Sequence, residues 1–174
     1  MKKKSFLLGL LGLLTLIPLG VHAEDVLMPQ VGKQVITVSS DNPITFYDFK
    51  GTDAISASFA NNSFATTIFK PAQEGYAVTI TFSEVDLHSD GTDWPAKLRI
   101  YSGVFDTTSV TYPEMPNNVS ATTFPETENM LAVLDGTSSD LTYTSTDATG
   151  ALSCCFHFRS PNRSTGWVAT VSAI

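Results

Sequence analysis

Cysteine is nearly absent from this chain: only Cys154 and Cys155 occur, and they are adjacent. A disulfide between neighbours is strained, because the preferred Cα separation exceeds what one peptide unit gives. Nor does a lone adjacent pair match a zinc site, which needs four ligands at characteristic spacing. The pair reads as one thiol packed inward and its neighbour turned to the other face of a strand. Basic charge is also scarce, with 10 Lys and Arg against 17 Asp and Glu. A surface of that sign argues against nucleic acid and anionic membranes, which need basic footprints. Helical periodicity is missing too, for no long segment spaces its apolar residues three and four apart. Glycine-rich phosphate loops, H-E-x-x-H helices and G-x-S-x-G elbows do not occur. Of the three histidines, His22 lies in the N-terminal leader, which leaves His88 and His157 for any nucleophilic centre, with no partner motif beside either. Acids are plentiful, yet nothing pairs two of them as a glycosidase would.

The one long hydrophobic run is at the start. Lys2, Lys3 and Lys4 precede an apolar stretch from Phe6 to Val21, and Val21 and Ala23 suit the −3 and −1 positions of a signal-peptidase site. Residues 1–23 therefore read as a cleaved export signal, and 24–174 as a single domain. Pro18 near the end of the run and its short length disfavour a permanent membrane anchor, so no transmembrane segment is expected in the mature chain. Loss of the three lysines carries the formal charge from −7 to −10. The protein is expected to be exported: secreted, periplasmic or associated with the cell surface. Three Asn-x-Ser sequons, at Asn61, Asn118 and Asn162, matter only in a eukaryotic secretory path, and the lysine-rich signal reads as bacterial.

What fills the rest is alternation. Tyr76, Val78, Ile80 and Phe82 interleave with Ala77, Thr79 and Thr81, the period of two that buries one face of a strand. Leu98 and Ile100 do the same, as do Leu152, Cys154, Phe156 and Phe158, then Trp167, Ala169 and Val171. Shorter strands are expected at Gln34–Val38, Thr66–Phe69, Met130–Leu134 and Leu141–Thr144. Turn clusters punctuate them at Ser39–Pro43, Ser89–Asp93, Asp135-Gly136 and Ser160–Arg163. The pattern predicts an all-β fold, two antiparallel sheets packed face to face. A long irregular loop, about 105–129, carries Pro113, Pro116 and Pro125.

In order along the chain, several pieces resemble the CUB domain in a divergent form found in exported bacterial proteins. Phe46-Tyr47-Asp48, Gly51 and Phe59-Ala60-Asn61-Asn62 are similar to its early segment. Thr67–Pro71, Phe82, Val85-Asp86-Leu87 and Leu98–Gly103 resemble its centre. Gly150, Leu152, Phe156-x-Phe158-x-Ser160 and Gly166-Trp167-x-Ala169 resemble its close. The resemblance implies a jelly-roll-like sandwich that recognises extracellular protein or carbohydrate and has no catalytic centre. Many animal members bind calcium through three acids, whose positions here fall on His88, Ala96 and Pro161. Alanine and proline side chains offer no hard oxygen ligand, so no metal and no cofactor are expected. Asp86, Asp90 and Asp93 cluster nearby without matching a calcium loop. Millimolar calcium should accordingly leave the melting temperature unchanged; a rise that chelation reverses would contradict this. The family's disulfide cysteines are absent as well.

Candidate binding residues are Asp90, Asp93 and Trp94, which stand in a polar turn, and Tyr112 in the long loop; Tyr101 is a weaker candidate. Trp94 reads first as an aromatic lid over the end of the sandwich, since Trp is usually largely buried, and alternatively as an exposed contact with protein or sugar, whereas Trp167 sits in strand periodicity and reads as core. The sequence thus points to a non-catalytic recognition or adhesion module. The alternatives are a structural or accessory subunit of a surface assembly, pairing through a sheet edge, and the non-catalytic part of a secreted hydrolase. Oligomeric state is left open.

Overall fold

The computed structural model describes residues 23–30, 32–49, 63–87, 96–105, 128–158 and 166–174. The leader therefore lies outside the described residues, apart from Ala23. Eleven strands are described: β1 Glu24–Leu27, β2 Gly32–Val38, β3 Ile44–Tyr47, β4 Ser63–Pro71, β5 Val78–Leu87, β6 Lys97–Ser102, β7 Met130–Leu134, β8 Gly136–Ser138, β9 Leu141–Thr144, β10 Leu152–Phe158 and β11 Gly166–Ala173. They form two sheets. One runs β1-β3-β11-β5-β8, with β9 also on β5; the other runs β2-β4-β10-β6-β7.

The inner faces meet as the alternation predicts. Val78, Ile80, Phe82, Val85 and Leu87 of β5 and Trp167, Ala169 and Val171 of β11 line one sheet and face Leu98 and Ile100 of β6 and Leu152, Cys154 and Phe156 of β10 on the other, in one shared core. Aromatic rings fill its middle. Phe156 meets Trp167 edge to face at 4.9 Å, and Phe46 meets Phe69 likewise at 5.0 Å. Along β5 the alternation slips once: Ser83 and Glu84 are both exposed, and the pairing with β11 jumps from Phe82↔Ala169 to Glu84↔Val168. Ser83 is the extra residue of a β-bulge, its hydroxyl donating to the carbonyl of Val168.

Three features depart from the sequence reading. The sheets are antiparallel except at one side, where β1 runs parallel to β3 and β2 parallel to β4. The N-terminal segment thus adds an edge strand to each layer in turn, and the Gln34 side chain of β2 ties it together by donating to the carbonyl of Leu27 on β1. Second, the turn at Asp135-Gly136 breaks an edge without reversing into a hairpin, because β8 goes over to the other sheet. Gly136 makes that step with φ +79°. Third, β5 begins at Val78, so Tyr76 belongs to the preceding turn, where its amide bonds the carbonyl of Gln73.

The cysteines stand on opposite faces of β10, as expected, and both are buried. Cys154 joins the main core; Cys155 joins a small cluster on the outer face with Tyr101, Phe105 and Met130. Burial pushes the Cys154 thiol well up, with its neighbour's charge adding to the effect. Burial also pushes Cys155 up to about 12, although a hydrogen bond from Thr66 and the Arg99 charge pull the other way. An unfolded thiol ionises near 8.5, so above that pH the unfolded chain binds fewer protons than the folded one, and stability falls as pH rises. The expected slope is about 1.4 kcal/mol per pH unit per thiol between the unfolded value and the raised folded one. Denaturant titrations at pH 8 and pH 10 check it, and replacing both cysteines by alanine should flatten the difference.

Candidate functional site

Strand direction decides which connections share an end. At one end lie the links β1–β2, β3–β4, β5–β6, β7–β8 and β10–β11; at the other lie β2–β3, β4–β5, β6–β7 and β9–β10. The first end is the one at which β5 finishes and β11 begins. Asp90, Asp93 and Trp94 fall in the β5–β6 link there, outside the described residues. Its flanks, Leu87 and Ala96, are buried in the core. Tyr112 also lies outside the described residues, in the β6–β7 link, which leaves from and returns to the opposite end. The strands therefore group three of the four candidates by end and separate the fourth. Of the positions matching the family's calcium acids, His88 and Pro161 lie outside the described residues, and Ala96 is buried against the core. Among the described residues, no group of three or more His, Cys, Asp or Glu could hold a metal ion.

Tyr101 is not available for contact. It is 1% exposed, and its ring stacks on Phe105 at 4.0 Å with planes 10° apart. It sits on the outer face of β6, where alternation predicts exposure. The chain after β6 folds back over that face: the amide of Phe105 donates to the Ser153 hydroxyl, which donates to the carbonyl of Gly103. Met130, at the far end of the same link, packs on the same cluster.

The frame of this first end holds a buried acid that alternation alone does not mark. Asp48, directly after β3, is 1% exposed, and its carboxylate lies against the backbone of Gly166 at the start of β11. A Cβ on Gly166 would fall 2.2 Å from Asp48 Oδ2, and φ there is +86°. Only glycine fits both demands. Asp86 is the register partner of Gly166 on the other side. The roots of three links (β3–β4, β5–β6 and β10–β11) therefore meet at one glycine flanked by two acids. A buried acid closing the alternating Ile44–Tyr47 run is the signal that could have marked this point. Lys97 and Asp135 add a surface ion pair at 3.4 Å, joining β6 to the β7–β8 link. With side chains 33% and 51% exposed, it contributes between nothing and about 1 kcal/mol.

The opposite end is held by hydrogen bonds in the β9–β10 link. The Ser102 hydroxyl accepts from the amides of Thr146 and Asp147, both at 2.8 Å. The hydroxyl and amide of Thr149 donate to Asp147 Oδ1 and hold its carboxyl below the usual carboxylate range. Nothing in this turn resembles a nucleophile paired with a base.

No family model matches the chain, and neither does any curated protein. Solved structures do. The chain is similar to the full extracellular region of zebrafish Gpr126/Adgrg6, with a TM-score of 0.51 at 15% identity, covering 83% of this chain and 15% of that one. It is also similar to the CUB1-EGF-CUB2 domain of human MASP-1/3, with a TM-score of 0.55 at 11% identity, covering 83% of this chain and 43% of that one. It spans less than half the length of either. With its two sheets, shared core and these likenesses together, the chain folds as a CUB-like β-sandwich.

Proposed function

We propose that the protein is a non-catalytic recognition module that works outside the cell and binds a protein or carbohydrate through the links at the end where β5 finishes and β11 begins, its recognition end. The observation that carries this reading is the gathering of five links above one end of a rigid core, three of them rooted at Gly166. Links on such a scaffold can vary in sequence without disturbing the packing beneath them. The fold likenesses support an extracellular setting, since one is to the extracellular region of zebrafish Gpr126/Adgrg6. Export through a cleaved leader fits it.

Trp94 is assigned the main contact, with Asp90 and Asp93 orienting polar groups of the ligand beside it. An array of glycans and extracellular proteins tests the assignment. Trp94→Ala should cost a bound ligand at least about 2 kcal/mol, as loss of an anchoring aromatic does, with the melting temperature unchanged. Binding untouched by Trp94→Ala and by Asp90→Asn with Asp93→Asn would contradict it. Turnover of a substrate that stops when His88 or His157 is replaced would contradict the non-catalytic reading.

A further inference from the structure

We draw no further inference here: the strongest candidate, the outer face of the six-stranded sheet, where Thr45, Thr170, Thr81 and Thr142 stand in one row across β3, β11, β5 and β9, carries nothing, because the hydroxyls of Thr81 and Thr142 already bond each other and nothing in the structure shows what covers that face.

Discussion

Gly150→Ala should destabilise the protein by about 4 kcal/mol, far more than the loss of a hydrogen atom suggests. Gly150 stands at the end of the β9–β10 link with φ +67°, where a side chain costs roughly 1–2 kcal/mol by itself. The larger part is collision. A Cβ there would lie 1.9 Å from the carbonyl oxygen of Tyr76 and 3.2 Å from Pro71 Cγ. The Tyr76 carbonyl cannot swing aside freely, because the next residues are fixed. The Ala77 amide bonds the carbonyl of Ile174, and the Val78 amide bonds Gly150 itself. Moving Gly150 instead would strain that bond and the one from its own amide to the carbonyl of Asp147. Gly75→Ala is the control. It has the same sign of φ, at +85°, and nothing within 4 Å, so it should cost only about 1 kcal/mol. Urea denaturation of the two variants decides the matter: equal losses would mean that backbone conformation alone sets the cost and that the collision is relieved.

Phe156→Ala should cost about 3–5 kcal/mol, lowering the melting temperature by on the order of 10 °C. Phe156 is 1% exposed and sits where both layers meet, with Trp167 at 4.9 Å and Phe49 at 6.2 Å. It comes from the middle strand of the five-stranded sheet, between β4 and β6, so neighbouring strands cannot collapse inward without breaking two ladders. Trp167 makes the hole worse, because its buried indole packs edge to face on the Phe156 ring, and its nitrogen has no hydrogen-bond partner among the described residues. Phe156→Leu, which keeps most of the volume, should recover more than half of the loss. A loss below about 1.5 kcal/mol in Phe156→Ala would mean that the two sheets do not share this core.

These effects also mark where the sequence was readable. Alternation revealed β5, β6, β10 and β11 because their core-facing positions are apolar and the positions between them mostly polar, even in β10, whose outer-face Ser153 and Cys155 are buried too. The same rule placed Cys154 and Cys155 on opposite sides of β10 and Trp167 in the core. β1 and β8 escaped it. Four residues opening with two acids, and three residues of Gly-Thr-Ser, are too short and too polar for a period to show. β3 was visible only as part of the F-Y-D likeness, and its parallel neighbour β1 pairs by a register that no turn specifies. Tyr101 is hidden for a different reason. Alternation tells which face a residue takes but not that Phe105 and Met130 come back to cover it. The buried Asp48 went unweighted because its role depends on Gly166, distant in sequence and adjacent only once the sheet has closed. The binding candidates rest on residue type and on the end their link belongs to, since loops carry no period that fixes a side chain.

Amide hydrogen exchange on a ligand complex identified from the array tests the central claim most directly. Added protection should be confined to the links of the recognition end, at residues 28–31, 48–62, 88–96, 135 and 159–165, with 39–43, 72–77, 103–129 and 145–151 exchanging as in the free protein. Protection gained at the second set instead, with the first unchanged, would place recognition at the wrong end of the sandwich and contradict the proposal.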